Sequence, residues 1–280
     1  MKTQHKMWIA RLIAIALSAR SRPHRQVLRH GINWILDIRE AIDLLIFLVG
    51  HFQRRVVSEV VRSLPYSDGA FIDVGCNRGA IALAVARQKP DRSVVAIDAV
   101  PKVIDQLKTG LAINQQIRNI QVYCTFLNAG DDGIDVKVPT YVDASWNVFH
   151  SVSDATSSCA TPLAASTEHP MTLDELIDIA GVRPVSVIKV DVDGYELSVL
   201  RGATRVLRAQ SPTLVMEWAR SSILSRSQQP EELARFLDAE GYVPKKLRLF
   251  SKQPRPISWE RLLNYRLGSS CELVLKKELK

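Results

Sequence analysis

From residue 66 onward, short apolar segments alternate with amphipathic helical segments, and this alternation restricts the fold more than any other feature of the sequence. Seven apolar segments predict β-strands, at residues 70–74, 93–97, 120–126, 185–190, 213–217, 242–250 and 271–275. Five amphipathic segments predict helices, at residues 80–89, 101–114, 172–180, 194–209 and 230–240. Strands that alternate with helices form a parallel sheet covered on both faces, so we predict an α/β fold.

Three segments do not follow this alternation. The last two predicted strands follow each other directly, which indicates an antiparallel hairpin at one edge of the sheet. Residues 133–138 are a candidate for an additional short strand. Residues 139–171 are rich in Ser, Thr, Ala and Pro without a clear period, and a loop of this length in a compact domain is usually functional or disordered.

Residues 1–65 precede the α/β pattern and are predicted to be helical. Apolar and charged positions recur at helical spacing over residues 32–49, and a further helix is predicted over residues 52–64. We therefore divide the chain into a helical N-terminal extension, residues 1–65, and an α/β domain, residues 66–280.

The net charge of +8 is concentrated at the two ends of the chain. Residues 1–65 hold 11 Lys and Arg against 4 Asp and Glu, and residues 245–280 hold 10 against 3. Basic ends attract anionic partners, although ordinary solvated faces are the simpler interpretation. The basic residues have little aromatic interleaving and match no zinc-finger or RNA-recognition signature, so we expect no nucleic-acid partner.

The apolar segments at residues 7–17 and 44–50 are shorter than the roughly 20 residues that cross a bilayer. Four cysteines lie far apart without a C-x-x-C pair, which favours a reducing compartment. We expect a cytoplasmic protein. Its amphipathic N-terminal helices are candidates for peripheral contact with a membrane, and packing against the protein's own domain is the alternative.

A glycine-rich turn follows the first predicted strand of the α/β domain. Residues 71–79 read FIDVGCNRG, so Asp73, Gly75 and Gly79 form a D-x-G-x-x-x-G pattern before a helix. Glycine permits positive φ and close approach to a ligand, and the start of the helix favours an anionic group. Asp98 ends the next strand, where an acidic residue of doubly wound folds hydrogen-bonds ribose hydroxyls. The two features predict a nucleotide-cofactor site; a plain turn and a helix cap are the alternatives.

A second group of charged residues ends the fourth predicted strand. Residues 188–196 read IKVDVDGYE, and strand alternation puts Lys189, Asp191 and Asp193 on one side. Charges at the end of a central strand are costly unless they are paired or used. Asp191 is therefore a candidate to orient or deprotonate a hydroxyl or to help hold a divalent ion, and a Lys–Asp pair is the alternative. Glu217 ends the next strand and faces the same crevice.

These motifs resemble those of the FkbM family of S-adenosylmethionine-dependent methyltransferases. The family carries a stretch similar to F-I-D-V-G-x-N-x-G, as at residues 71–79. It also carries T-L-D-E-L, as at residues 172–176, before a segment similar to residues 188–196, and residues 199–203, VLRGA, also match. The resemblance covers roughly residues 66–250.

Two departures from the family pattern concern acidic residues. The second strand of family members often ends in F-E-P-x-P, whereas residues 97–101 read IDAVP. Asp98 in place of Glu keeps the ribose-binding role. Asp193 stands where Glu is frequent, which leaves its role open.

The resemblance implies a class I methyltransferase fold, a Rossmann-like seven-stranded sheet with the last strand antiparallel, and S-adenosylmethionine as cofactor. The residues assigned to the cofactor are Asp73, Gly75, Asn77, Gly79, Asp98 and Asn128. Asp191 is the first candidate for a base or orienting group, with Lys189 and Glu217 as second choices. The expected acceptor is a hydroxyl of a sugar, a glycan or glycolipid, or a secondary metabolite, and the segment 139–171 would form part of its pocket. No ligand set for a metal is assigned.

Two other functions are consistent with parts of the pattern. A nicotinamide-dependent oxidoreductase also uses a glycine turn and a ribose-binding acid, but the sequence lacks G-x-G-x-x-G at this turn. A non-catalytic binding protein on the same fold is the second alternative, because a fold does not by itself imply an activity. Asp73, Gly75, Gly79, Asp98 and Asp191 are all present, which argues against a degenerate site.

Overall fold

The computed structural model describes residues 24–65, 68–130, 170–226, 228–248, 251 and 253–278. The strands within these residues are β1 His24–Arg29, β2 Ile32–Asp37, β3 Ala70–Val74, β4 Val94–Asp98, β5 Ile120–Cys124, β6 Val185–Val190, β7 Thr213–Trp218, β8 Tyr242–Lys246, β9 Arg255–Pro256 and β10 Cys271–Lys277. The helices are α1 Ala41–Val49, α2 Arg54–Ser63, α3 Ala80–Gln88, α4 Pro101–Ala112, α5 Leu173–Ala180, α6 Glu196–Arg201, α7 Thr204–Gln210, α8 Arg220–Ser225, α9 Pro230–Ala239 and α10 Trp259–Leu263.

The central sheet has the strand order β5-β4-β3-β6-β7-β10-β8-β9. Strands β3 to β7 pair in parallel, and β10 pairs antiparallel with both β7 and β8. This confirms the predicted class I fold with its antiparallel last strand, to which the two-residue β9 adds an edge. The strand order reverses between β3 and β6, and ligands of open α/β sheets bind at such a switch point.

The sequence suggested that the last two strands form a hairpin at the edge of the sheet, but the last strand lies inside the sheet. Although β8 and β10 are antiparallel neighbours, β9 and α10 lie between them in sequence, and β10 lies inside the sheet. Leu273, Val274 and Leu275 in β10 are at most 1% exposed. A strand with three successive buried apolar residues is better accommodated between two neighbouring strands than at an edge.

The N-terminal extension differs most from the prediction, because residues 24–37 form a β-hairpin rather than a helix. Ile32, Trp34 and Leu36 are buried on one face of β2, which is the period-2 pattern of a strand. His30 and Gly31 both adopt positive φ, at 50° and 75°, which is the conformation of a tight two-residue hairpin turn. The helix predicted over residues 52–64 is confirmed as α2. Residues 1–23 lie outside the described part of the chain.

The described part of the extension packs directly on the α/β domain. Trp34 and Leu36 of β2 and Val60 of α2 belong to the same buried hydrophobic cluster as Phe71 of β3 and Leu83 of α3. Residues 24–65 therefore share the core on one side of the sheet and do not form a core of their own.

The free edge of β2 is closed by side chains rather than by another strand. The buried Asn114 amide accepts a hydrogen bond from Asn33 N and donates one to Asn33 O, each at 2.8 Å. Arg78 donates to Ile35 O at 2.6 Å, and Asp43 accepts from Asp37 N at 2.7 Å. These bonds satisfy backbone groups that an unpaired strand would leave open, and they fix the hairpin to the domain.

Two further differences concern helices. The single helix predicted over residues 194–209 is divided into α6 and α7, with Gly202 between them. A Cβ at Gly202 would lie 2.2 Å from Asn128 O, so this close approach needs glycine. The helices α8 and α10 were not predicted. Residues 133–138 and most of the segment 139–171 lie outside the described part of the chain. Among the helices that the structure describes, none has the length and hydrophobicity of a transmembrane segment.

Replacing Asn114 by Ala tests how the hairpin is held. The variant leaves the N–H and C=O of Asn33 without their partner, and we expect it to lower the free energy of unfolding by about 2 to 3 kcal/mol. Urea denaturation measures this change. The matched control is Gln115→Ala, because Gln115 is the next residue and its side chain is exposed. An equal effect of both substitutions would contradict the anchoring role of Asn114.

Candidate active site

The glycine turn after β3 passes against the backbone that follows β6. Gly75 has φ 71° and donates from N to Ile97 O at 2.9 Å, which ties the turn to the end of β4. A Cβ at Gly75 would lie 1.8 Å from Asp191 O. Gly79 has φ 80°, and a Cβ there would lie 2.3 Å from Leu107. Both glycines are therefore required by the backbone geometry of this turn.

Asp98 at the end of β4 holds the turn in place. Its carboxylate accepts from Asn77 N at 2.8 Å through one oxygen and from Val100 N at 3.0 Å through the other. Burial raises the pKa of Asp98, and the two backbone hydrogen bonds oppose this effect. Each carboxylate oxygen has a second lone pair, so the side chain can still accept hydrogen bonds from ribose hydroxyls. Asn77 itself adopts φ 51°, a conformation that Asn tolerates better than most residues.

Lys189 is the ionic centre of the switch point. It is 3% exposed, and its ammonium lies 3.2 Å from Asp73 Oδ1 and 3.5 Å from Asp191 Oδ2. It also donates to Gly75 O at 3.3 Å. Burial alone would lower the pKa of Lys189, but the carboxylates of Asp73 and Asp191 outweigh it and the net shift is upward. The side chain is therefore a fixed cation that connects β3, the glycine turn and β6.

Asp191 projects into the cleft above this cation. Its backbone N donates to Val74 O at 3.1 Å, which continues the pairing of β6 with β3, and its side chain is 26% exposed. Glu217 at the end of β7 lines the same cleft. Burial raises the pKa of Glu217, a hydrogen bond with Ser270 opposes this, and Asp191 and Asp193 raise it further. Two carboxyl groups thus face the space in front of the glycine turn.

Asp193, two residues after Asp191, has a strained backbone conformation that contacts with neighbouring residues stabilise. Its φ is 50°, and its carbonyl accepts from Arg226 Nε at 3.3 Å. Burial and the charge of Asp191 raise the pKa of Asp193. Glu196 accepts from the backbone N of Val192 and of Gly194, at 3.3 and 3.2 Å. Glu196 therefore holds the loop that carries Asp193 instead of facing a substrate.

Sequence reasoning missed Glu272 and Gln53. Glu272 in β10 is paired in register with Glu217 in β7, and Gln53 Nε2 donates to its Oε1 at 3.1 Å. Burial, followed by the charges of Asp191 and Glu217, raises the pKa of Glu272 to about 8. No local motif marks Glu272, because only the pairing of β10 with β7 brings it beside Glu217.

The N-terminal extension also contributes to the cleft. Ile42 of α1 and the loop residues Phe52 and Gln53 line it together with Arg78 of the glycine turn. Arg78 forms a buried ion pair with Asp43 of α1. Burial raises the pKa of Asp43, and Arg78 opposes this. The conformation of the glycine turn is thus tied to the extension.

The opposite wall of the cleft is aromatic. The rings of Phe126 and Tyr195 meet edge to face with centroids 5.6 Å apart, and the Arg226 guanidinium lies 5.3 Å from the Tyr195 centroid. All three line the cleft. Tyr195 follows the Asp193 loop, so this wall is built on the same motif as the carboxylates.

The predicted site residues come together with one exception. Gly75, Asn77, Asp98, Lys189, Asp191 and Glu217 line the cleft. Asp73 and Gly79 do not line the cleft but stabilise the turn, Asp73 through Lys189 and Gly79 through its close packing on Leu107. Asn128 is only 6% exposed, and its side chain accepts from Gly130 N at 3.0 Å, one residue beyond the wall formed by Thr125, Phe126 and Leu127. The structure therefore gives Asn128 a loop-stabilising contact and does not bring it to the cleft.

Comparison with known proteins identifies a family for this arrangement. The family model of the methyltransferase FkbM domain matches residues 73–244, more than half of the chain. Release factor glutamine methyltransferase of Salmonella typhimurium is 33% identical over 93 residues, which are 32% of this chain and 33% of that enzyme. The chain thus aligns with about a third of the length of that curated relative.

Two solved structures are similar at low sequence identity. The METTL16 methyltransferase domain is 8% identical with a TM-score of 0.49, covering 97% of this chain and 80% of that one. Precorrin-6y C5,15-methyltransferase of Geobacter metallireducens is 11% identical with a TM-score of 0.43, covering 80% of this chain and 87% of that one.

The family match implies S-adenosylmethionine as cofactor, and the residues of the cleft fit it. The glycine turn packs so closely on Asp191 O that no Cβ fits at Gly75, and Asp98 presents carboxylate oxygens for a ribose. The N-cap of α3 is Gly79, which has no side chain to cap the helix, so the first N–H groups of α3 suit the carboxylate of the methionine part. Within the described residues, no three His, Cys, Asp or Glu side chains are placed to hold a metal ion.

The Gly75→Ala variant tests whether the close packing of the glycine turn on Asp191 O is needed for cofactor binding. Its methyl group would collide with Asp191 O, so we expect loss of saturable S-adenosylmethionine binding in calorimetry. Gly241→Ala is the matched control, because Gly241 has φ 81° and nothing within 4 Å of its Cβ position. Both variants carry a cost of about 1 kcal/mol for positive φ. Retention of wild-type affinity in Gly75→Ala would show that the turn does not form the cofactor site.

The raised pKa of Glu272 predicts a pH dependence of stability. The folded protein retains this proton up to about pH 8, whereas the group ordinarily releases it near 4.5. The folded state therefore binds more protons between these values, and the wild type loses stability as the pH rises through them. We expect Glu272→Gln to reduce this loss, measured by urea denaturation from about pH 5 to about pH 9. A part of the loss remains, because burial also raises the pKa of Glu196 to about 7. The exposed Glu231→Gln should keep the wild-type profile; parallel profiles for wild type and Glu272→Gln would refute the assignment.

Proposed function

Because the chain belongs to the FkbM methyltransferase family, we propose that it is an O-methyltransferase that transfers a methyl group from S-adenosylmethionine to a hydroxyl group. The observation that carries the proposal is the position of Asp191. Its carboxylate enters the cleft beside the glycine turn and is fixed there by the Lys189 ammonium at 3.5 Å. The family match favours this activity over that of a nicotinamide-dependent oxidoreductase.

Cofactor binding rests on the residues around the end of β3. Asp98 would accept hydrogen bonds from the ribose, and the backbone from Gly75 to Gly79 would hold the methionine part. Lys189 contributes indirectly, since its hydrogen bond to Gly75 O holds the turn in position. When bound, S-adenosylmethionine supplies an electrophilic methyl group on its sulfonium sulfur.

The acceptor side of the cleft supplies orientation and a proton acceptor. Methyl transfer to a hydroxyl requires the acceptor oxygen to be aligned and its proton to be removed. Asp191 fills both roles, because its carboxylate is partly exposed and is held by Lys189 in one orientation. Glu217 is the second candidate. Lys189 is assigned to positioning, since a cation stabilised by two carboxylates is a poor proton acceptor.

The side chains that line the cleft favour an acceptor with several hydroxyl groups. Asp191 and Glu217 both present carboxylate oxygens, which accept hydrogen bonds from O–H donors. The rings of Phe126 and Tyr195 offer an apolar surface beside them. Carboxylates next to aromatic rings suit a sugar, a glycan or glycolipid, or a hydroxylated secondary metabolite.

Two variants separate cofactor binding from catalysis. Asp98→Ala should abolish or strongly weaken S-adenosylmethionine binding in calorimetry, because it removes the ribose contact and frees the turn. Asp191→Asn should keep cofactor affinity but lower methyl transfer by about 100-fold to 10,000-fold, the usual contribution of a general base. Transfer is measured with methyl-tritiated S-adenosylmethionine and a panel of alkyl glycosides.

The exposed Asp105→Asn on α4 is the matched control and should behave as wild type in both assays. Full methyl transfer by Asp191→Asn would remove Asp191 from the reaction and leave Glu217 as the base. If Asp98→Ala bound S-adenosylmethionine with wild-type affinity, Asp98 would not be part of the cofactor site.

A further inference from the structure

The outer face of α1 exposes apolar side chains beside basic ones. Leu45, Leu48 and Val49 lie at i, i+3 and i+4 on one face of α1 and are 44%, 45% and 54% exposed. Leu28 in the hairpin is 61% exposed. Of the eight large hydrophobic residues that are exposed in the described part of the chain, five lie between residues 28 and 49. Scattered apolar residues need no explanation, but such a concentration does.

The hairpin turn contacts the end of α1 next to these exposed apolar residues. Arg29 donates to Phe47 O at 3.1 Å, and a Cβ at Gly50 would lie 3.0 Å from His30 Nε2. The His30 and His51 rings have centroids 6.3 Å apart. The apolar residues 45, 48 and 49 are thus bordered by the hairpin turn on one side and by the start of α2 on the other.

The charged residues on the two segments that carry this surface are basic. Residues 24–36 and 44–58 contain Arg25, Arg29, Arg54 and Arg55 but no Asp or Glu. Between these segments, Asp37 is paired with Arg39 and Asp43 with Arg78. The preceding residues 1–23 hold five further Lys and Arg and no acidic residue. Apolar side chains with arginines beside them complement the surface of an anionic bilayer, in which acyl chains lie below phosphate groups.

We propose that this surface, formed by Leu28, Leu45, Leu48, Val49, Arg29 and Arg54, docks the protein on an anionic membrane. The apolar side chains enter the headgroup region while the arginines contact lipid phosphates. The surface is distinct from the cleft, because Ile42 and Phe52 line the cleft and residues 45, 48 and 49 do not. Membrane docking and methyl transfer can therefore be tested separately.

Vesicle co-sedimentation of the full chain tests the proposal. The probes are vesicles of phosphatidylcholine mixed with phosphatidylserine and vesicles of phosphatidylcholine alone. We expect binding to the anionic vesicles only, with release at high salt because screening weakens the arginine contacts. The double variant Leu45→Gln/Leu48→Gln should bind about tenfold more weakly, since it removes two apolar side chains from the contact. Arg54→Gln should bind about fivefold more weakly, the contribution of one cation near an anionic surface.

The matched control is Ile179→Gln, which changes an apolar residue that is 65% exposed on α5, outside this surface. It should bind vesicles as the wild type does, and every variant should keep wild-type affinity for S-adenosylmethionine, which shows that it is folded. Three results would overturn the proposal: no vesicle binding by the wild type, equal binding to both vesicle types, or wild-type binding by both the double variant and Arg54→Gln. The last result would place the membrane contact in residues 1–23 or another surface.

Discussion

The arrangement of the site depends on one buried cation. Lys189 lies among three acceptors from different segments: Asp73 in β3, Gly75 in the turn that follows, and Asp191 beyond the end of β6. A buried ammonium without partners would be strongly unfavourable, so the folded state requires these groups to converge. The same contacts that neutralise Lys189 therefore fix the positions of the cofactor turn and of the proposed base relative to each other.

The sheet topology and the extension complete this arrangement. Reversal of the strand order between β3 and β6 opens the crevice above Lys189, and Asp98 holds the glycine turn from the side of β4. On the other side, Arg78 joins the turn to α1 through its ion pair with Asp43. The cleft is thus held both by the strand order of the sheet and by an N-terminal region outside the matched family domain, residues 73–244.

The sequence predicted the parts of the structure that local patterns encode. The boundaries of β3 and β6 agree with the prediction, and the motifs at their ends identified the switch point, because buried strands and glycine turns leave local signals. The hairpin at residues 24–37 was missed because period-2 and helical patterns overlap in so short an apolar segment. Glu272 and Gln53 were missed since their contact joins residues 219 positions apart. Asn128 was assigned to the cofactor, but the direction of a side chain in a loop depends on tertiary contacts that no local pattern contains.

The cofactor site is tested by calorimetric titration of the full wild-type chain with S-adenosylmethionine, its demethylated product and NAD. We expect saturable binding of the first two at one site per chain and no binding of NAD, because the turn lacks G-x-G-x-x-G while Asp98 and the Gly75–Gly79 backbone fit the methyl donor. Saturable binding of NAD, or no binding of S-adenosylmethionine by the folded chain, would show that the cleft is not a methyl-donor site.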